Sequence, residues 1–112
     1  MRRRRAPMLL AAIAVMVTLF ATAAYAAVIT GTPRSDFLYE SKQNDTIYGR
    51  GGSDDLRADR FHFDKDYLKG GTGVDELNAR DGDESDTLDG GKGFDKCRGD
   101  QFDNYKSCEL RP

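Results

Sequence analysis

Gly70-Gly71-Thr72-Gly73-Val74-Asp75-Glu76-Leu77-Asn78 follows the pattern Gly-Gly-x-Gly-x-Asp-x-apolar-x without a mismatch. Residues 90–98 repeat it with cysteine in the apolar position, and residues 49–57 repeat it with Arg50 in place of the second glycine. Glycine permits positive φ and lets backbone carbonyl oxygens approach one another. The aspartate adds a charged oxygen, and the x-apolar-x triplet predicts a short strand with one inward side chain. The pattern therefore predicts alternating oxygen-lined turns and short strands.

The shorter signature Asp-x-apolar occurs seven times, at successive intervals of 9, 9, 12, 9, 11 and 9 residues. In order, the aspartates are Asp36, Asp45, Asp54, Asp66, Asp75, Asp86 and Asp95. The first, third, fifth and seventh follow glycine-bearing turns, whereas the other three follow turns poor in glycine that also contain both insertions. If two repeats form one coil, alternate turns stack on opposite edges. We therefore expect one regular edge and one degenerate edge.

The nonapeptide resembles the RTX (repeats-in-toxin, haemolysin-type) calcium-binding repeat, here in a small secreted form. The resemblance implies an all-β fold, a parallel β-roll or right-handed β-solenoid, which the unit count sets at about three and a half coils. One inner sheet is expected to contain Leu38, Leu56, Leu77 and Cys97, and the facing sheet Ile47, Leu68 and Leu88.

The resemblance also implies that each Ca²⁺ lies between two stacked turns of one edge, held by backbone carbonyls and by the aspartates of both turns. The predicted metal-site residues are Asp36, Gly49, Gly51, Gly52, Asp54, Gly70, Gly71, Gly73, Asp75, Gly90, Gly91, Gly93 and Asp95. The Asp75–Asp95 gap matches the pattern best, and the Asp36 turn departs from it because Thr32 and Arg34 replace glycines. We interpret Asp45, Asp66 and Asp86 as structural caps of their own turns. Metal binding by these three remains an open alternative.

Residues 1–26 have the features of an export signal that forms an N-terminal helix and is cleaved. Four arginines precede an apolar run from Met8 to Phe20, and Ala24-Tyr25-Ala26 is a small-x-small cleavage site. An uncleaved membrane anchor is the alternative, although the apolar run is shorter than the roughly 20 residues of a spanning helix. Export by a twin-arginine route also remains open. We expect residues 27–112 to be the secreted β-roll, with no stable membrane anchor after cleavage.

The charge balance of residues 27–112 favours cations as ligands. Without the four arginines of the signal, 13 basic and 19 acidic side chains remain, a formal charge of −6. An acidic surface argues against nucleic acid or an anionic membrane as a partner. Much glycine and few large aliphatic side chains predict a thin core, so we expect folding to depend on metal.

Both cysteines lie in the exported part, where disulfides persist. We expect Cys97 and Cys108 to form a bridge that closes a C-terminal cap, with Phe102 and Tyr105 covering the open end of the roll. An eighth turn over residues 99–105 is the alternative to this aromatic cap. Two free thiols or a metal-binding pair remain the alternatives.

Nothing in the sequence favours an enzyme. The single histidine, His62, has no serine or cysteine placed as its partner, and no glycine-rich loop is followed by the lysine of a phosphate site. A secreted calcium-binding protein is the first hypothesis. The alternative is a metal-independent structural or adhesin-like β-solenoid. Whether a protein or a glycan is a partner stays open from the sequence.

Overall fold

The computed structural model describes residues 26–61, 64–82 and 85–112. The predicted signal helix lies outside the described residues except for Ala26, and so does His62. The described part contains nine three-residue strands: β1 (Val28–Thr30), β2 (Phe37–Tyr39), β3 (Thr46–Tyr48), β4 (Asp55–Arg57), β5 (Tyr67–Lys69), β6 (Glu76–Asn78), β7 (Thr87–Asp89), β8 (Lys96–Arg98) and β9 (Asn104–Lys106). Within these ranges, no helix has the length and apolarity needed to cross a bilayer.

The strands form two parallel sheets, in the orders β1-β3-β5-β7-β9 and β2-β4-β6-β8. Odd and even strands separate because each turn carries the chain from one sheet to the other. The register aligns the apolar residue of each triplet with that of the next coil, for example Leu56 with Leu77 and Leu77 with Cys97. The predicted β-solenoid and both predicted apolar columns are confirmed.

The solenoid has about four turns, because two segments at its ends are also strands. β1 pairs with β3, which places Ile29 beside Ile47, and β9 pairs with β7, which places Tyr105 beside Leu88. The favoured prediction of an aromatic cap over residues 99–105 was therefore wrong, and the alternative, an eighth turn, is confirmed. This segment continues the repeat, and Phe102 is 61% exposed on its turn.

The core consists of small and medium-sized side chains enclosed between the two sheets. Its fully buried members are Ile47, Leu56, Ala58, Leu68, Leu77, Ala79, Leu88 and Cys97. The two alanines were not predicted as core; each directly follows a strand and begins one of the long turns. A disulfide joins buried Cys97 to Cys108 and closes a separation of 11 residues, as predicted.

The turns lie along two edges of the solenoid. We call the edge formed by turns 31–36, 49–54, 70–75 and 90–95 the first edge. The second edge is formed by turns 40–45, 58–66, 79–86 and 99–103, of which residues 62–63 and 83–84 lie outside the described part. Every first-edge turn begins with glycine, whereas those of the second edge begin with Glu40, Ala58, Ala79 and Gly99. The predicted regular and degenerate edges correspond to these two.

Candidate metal centre

The central turns of the first edge stack so closely that their glycines have no room for a side chain. A Cβ on Gly71 would lie 2.0 Å from the carbonyl oxygen of Arg50, and one on Gly91 would lie 2.3 Å from that of Gly71. Gly73 and Gly93 both have φ of 108°. Only glycine can adopt this backbone conformation while a carbonyl oxygen of the neighbouring turn comes so close, because it has no Cβ. The stacking thus brings carbonyl oxygens of successive turns together, as predicted from the spacing.

Arg50 adopts the conformation of the glycine that it replaces. Its φ is 73°, beside 90° for Gly71 and 83° for Gly91 at the equivalent positions. The turn is therefore retained, with backbone strain at a residue that has a Cβ. Gly51 occupies the variable position of the repeat, where the next turn has Thr72, and a Cβ there would meet its nearest atom at 3.3 Å.

The first-edge aspartates form a hydrogen-bonded ladder along the solenoid. The N–H of Asp54 donates to Oδ1 of Asp75, and the N–H of Asp75 donates to Oδ1 of Asp95, both at 2.8 Å. Asp36 donates in the same way to Asp54. Glu109 ends the ladder, since its Oε1 accepts the N–H of Asp95 at 2.9 Å. One oxygen of each accepting aspartate is therefore used for structure.

The second oxygen of each of these aspartates is buried without a hydrogen-bond partner; the atoms are Oδ2 of Asp54, Asp75 and Asp95. A Cβ on Gly70 would lie 2.5 Å from Oδ2 of Asp75 and 2.8 Å from the carbonyl oxygen of Gly90, so both oxygens border the same space. Burial, together with the neighbouring acids, raises the pKa of Asp75 to about 6, against the lowering effect of its ladder bond. Carboxylate and carbonyl oxygens of this kind are what Ca²⁺ prefers. The residues fit a calcium ion.

The Asp36 turn differs from this arrangement. Its carboxylate accepts the N–H of Thr32 at 2.6 Å and the Thr32 hydroxyl at 3.1 Å, and the hydroxyl in turn accepts the N–H of Arg34. Neither Thr32 nor Arg34 has positive φ. The turn closes through its threonine, so Asp36 lacks the unpartnered oxygen that Asp54, Asp75 and Asp95 have.

The second edge has the same kind of ladder despite its few glycines. The N–H of Asp45 donates to Oδ1 of Asp66 and that of Asp66 to Oδ1 of Asp86, both at 2.8 Å; Asp86 donates to Asp103 at 3.1 Å. The aspartates were interpreted as caps of their own turns. Asp45 does accept the N–H of Ser41 within its turn, but its Oδ1 accepts the N–H of Ala27 from the preceding coil. Both edges therefore connect coil to coil through aspartate.

Acids outside the repeat pattern gather on the second edge. Glu40, Asp64 and Asp66 each place a carboxylate oxygen within 4.8 Å of the others, and Asp66 forms a second such group with Asp81 and Asp86. Burial raises the pKa of Asp66 to about 8, and the neighbouring acids Glu40 and Asp64 add to the rise. The hydrogen bond from the N–H of Asp45 lowers this pKa in part. Sequence reasoning missed Glu40 and Asp64. The available signal was a glutamate in the place of the leading glycine and an aspartate inside an insertion.

Residues 30–62 and 64–97 match the family of RTX calcium-binding nonapeptide repeats, in four copies. The chain belongs to this family. The resemblance drawn from the nonapeptides is thereby confirmed, and with it the calcium-binding β-roll as the type of repeat. RTX repeats are structural and calcium-binding rather than typically catalytic. No curated protein and no solved structure matches the chain.

Proposed function

We propose that this RTX protein is exported and binds Ca²⁺ along its first edge, in the gaps between turns 49–54 and 70–75 and between turns 70–75 and 90–95. Asp54, Asp75 and Asp95 would hold the ions together with carbonyl oxygens of the stacked glycine turns. The observation that supports this most strongly is the buried Oδ2 of each of these aspartates, which has no hydrogen-bond partner. When bound, Ca²⁺ supplies positive charge that neutralises the buried carboxylates.

We further propose that calcium binding is coupled to folding. The ladder aligns the aspartates one coil apart, which concentrates negative charge along one edge. Burial raises the pKa of Asp54 and Asp95 as well as that of Asp75, because the ionised forms lose hydration. The unfolded chain has no such alignment, so an ion binds the folded state far better and stabilises it.

Export is supported by two independent features of the chain. The sequence of residues 1–26 has the basic, apolar and small-residue parts of a signal. The Cys97–Cys108 disulfide is a bond that persists in oxidising compartments and is rare in the cytosol. Extracellular calcium-binding modules typically bind the ion with dissociation constants of roughly 10⁻⁴–10⁻³ M, so a site of this kind suits an exported protein.

A metal-independent β-solenoid is the second candidate, and the Asp36 turn favours it. There, Thr32 satisfies the carboxylate without an ion, and the backbone ladder continues through that turn. If the whole edge behaved in this way, the protein would be a structural or adhesin-like module.

Calorimetric titration of the purified protein with Ca²⁺ tests the proposal. We expect saturable binding that Asp75→Asn weakens by roughly tenfold or more, since Asp75 borders both gaps and ligand charge sets calcium affinity. Asp36→Asn is the matched control and should bind nearly as the wild type does. Absence of binding heat in the wild type, or equal isotherms for Asp75→Asn and Asp36→Asn, would support the metal-independent candidate instead.

A further inference from the structure

We propose that removal of the signal creates an ion pair at the N-terminal end of the solenoid, in which the new α-ammonium group of Ala27 binds the buried carboxylate of Asp45. The inference rests on the proposed export, because it requires cleavage between Ala26 and Ala27. It does not depend on calcium. It gives the position of cleavage a role in the stability of the folded protein.

Ala27 occupies an aspartate position of the repeat. It lies directly before β1, as Asp36 and Asp45 lie directly before β2 and β3. Its carbonyl accepts the N–H of Thr46 at 2.9 Å, as the carbonyl of Asp36 accepts that of Asp55. The backbone at Ala27 therefore has the geometry of the repeat, although the residue has no carboxylate.

The missing carboxylate has a physical reason. In both ladders the aspartate of one coil accepts the N–H of the residue one coil earlier, as Asp66 accepts that of Asp45. In the cleaved chain no residue precedes Ala27, so no earlier N–H needs an acceptor there. Ala27 only has to donate, and its N–H donates to Oδ1 of Asp45 at 2.9 Å across 18 residues of sequence.

Cleavage changes the chemistry of this donor. In the precursor it is the neutral N–H of a peptide bond, whereas in the cleaved chain it belongs to an ammonium group. The ordinary pKa of an α-amino group, about 7.7–8.0, keeps that group charged at neutral pH and below. Hydrogen bonds between ionised partners are about twice as strong as neutral ones, and the distance of 2.9 Å already suits such a bond. The pair can therefore form without a shift of the backbone.

The ammonium group supplies a charge that Asp45 lacks. Asp45 is 2% exposed. Its other donors are neutral, since Oδ2 accepts the N–H of Ser41 at 2.5 Å and Oδ1 accepts the Ser41 hydroxyl at 2.8 Å. In the part of the chain that the structure describes, no lysine or arginine forms an ion pair with Asp45. A buried carboxylate without an opposite charge is destabilising, so the ammonium group should stabilise the first coil.

The pair also selects one cleavage position. Ala21-Thr22-Ala23 has the same small-x-small pattern as Ala24-Tyr25-Ala26, and cleavage after it would leave residues 24–26 on the secreted chain. Successive Cα atoms are about 3.8 Å apart, so even one extra residue moves the ammonium group away from Asp45 and returns a neutral N–H to Ala27. Cleavage directly after Ala26 places the charge on the carboxylate.

A double-mutant cycle on protein exported from the full chain tests the pair. One change inserts an alanine between Ala26 and Ala27, which keeps the signal and makes the Ala27 N–H a neutral amide. The other is Asp45→Asn, whose side-chain oxygen can still accept this N–H. Urea unfolding is measured below neutral pH at constant millimolar calcium. We expect the insertion to raise the unfolding equilibrium constant about fivefold when Asp45 is present and to change it little in the Asp45→Asn protein.

Asp36→Asn is the matched control, because Asp36 lies on the opposite edge of the same end and does not contact Ala27. The insertion should keep its full effect in this variant. Equal effects of the insertion in the wild-type and Asp45→Asn proteins would overturn the pair, whatever the calcium titration gives. The amide NMR signal of Ser41, whose N–H binds Asp45, should also shift on insertion, and an unchanged signal would count against the pair.

Mass spectrometry of the exported protein separates this inference from the proposed function. We expect the secreted chain to begin at Ala27. A secreted chain that begins at another residue would overturn the pair and leave export standing. A chain that keeps its signal would contradict both the pair and the proposed export.

Discussion

The N–H of Asp75 donates a hydrogen bond of 2.8 Å to Oδ1 of Asp95, its counterpart one coil further along. The same bond joins Asp45 to Asp66 on the opposite edge. Each accepting aspartate uses one oxygen to connect coils, and at Asp75 and Asp95 the other oxygen is buried without a hydrogen-bond partner. The feature that stacks the coils therefore also concentrates negative charge. These two uses of each carboxylate are the basis for the proposed dependence of the fold on cations.

Asp75→Asn should stabilise the metal-free protein while abolishing most of its stabilisation by calcium. The asparagine oxygen can still accept the N–H of Asp54, and the buried charge is removed. Since burial raises the pKa of Asp75 to about 6, we expect a gain of about 1–2 kcal/mol in the free energy of unfolding in chelator. Urea unfolding with chelator and with calcium measures both effects. A variant that responds to calcium as the wild type does would show that Asp75 is not a ligand.

Asp66→Ala should destabilise the metal-free protein about as much as Asp75→Ala does. Each substitution leaves the buried N–H of the preceding aspartate, Asp45 or Asp54, without its acceptor, at a cost of about 1–3 kcal/mol. Urea unfolding in chelator measures both free energies. The glycine pattern alone predicts a much milder effect at Asp66, so a clearly smaller loss there would show that the second ladder contributes little.

Arg50→Gly should stabilise the protein by about 0.5–1 kcal/mol. A side chain at a φ of 73° is strained by about 1–2 kcal/mol, and the greater entropy of glycine in the unfolded chain offsets part of the gain. Thermal unfolding measures the change. The converse substitution, Gly71→Ala, should cost at least about 2 kcal/mol, because its Cβ would lie 2.0 Å from the Arg50 carbonyl oxygen. Equal stability of all three proteins would mean that the turns do not stack as described.

The metal-free protein should lose stability as the pH rises from about 4 to 8. The pKa of Asp66 is raised to about 8 and that of Asp75 to about 6, so the folded state holds protons that the unfolded state has released above its ordinary aspartate value. The stabilisation that these two protonated carboxyls give is complete below the ordinary aspartate pKa. It is lost as the pH rises through about 6 for Asp75 and about 8 for Asp66. We expect unfolding in chelator to require about 1–3 kcal/mol more at pH 5 than at pH 8. Constant stability over this range would contradict the burial of these acids.

Cys108→Ser should loosen the C-terminal segment and lower the free energy of unfolding by about 2–3 kcal/mol. The disulfide holds this segment beside β8, where the N–H of Cys97 donates to the Leu110 carbonyl at 2.8 Å and the N–H of Leu110 donates to that of Asp95 at 3.0 Å. Hydrogen exchange at the Leu110 amide should accelerate more than exchange at Leu56. Equal acceleration at both would indicate global rather than local loosening.

The repeating part of the fold was predictable because each nonapeptide encodes one turn and one strand. The Asp-x-apolar spacing was enough to assign Leu56, Leu77 and Cys97 to one column, since the insertions lengthen turns and leave strand register unchanged. Glycine content was a weaker guide. Positive φ is required at Gly71 and Gly91, yet Asp45 and Asp66 join the second ladder although their turns, 40–45 and 58–66, contain no glycine.

The acidic cluster and the last strand were not predicted, because they depend on contacts between coils that the repeat pattern does not reveal. Glu40 and Asp64 are 24 residues apart in sequence and meet only because turns 40–45 and 58–66 stack. Likewise, Tyr105 was read as a cap because residues 99–103 lack the pattern, whereas pairing of β9 with β7 extends the sheet.

The far-UV circular dichroism spectrum of the chelator-treated protein, recorded before and after addition of millimolar Ca²⁺, tests the central claim most directly. We expect calcium to increase the β-sheet signal and chelator to remove it again, because the aligned carboxylates of Asp54, Asp75 and Asp95 repel one another without an ion. A full β-sheet spectrum in chelator that calcium leaves unchanged would contradict the account.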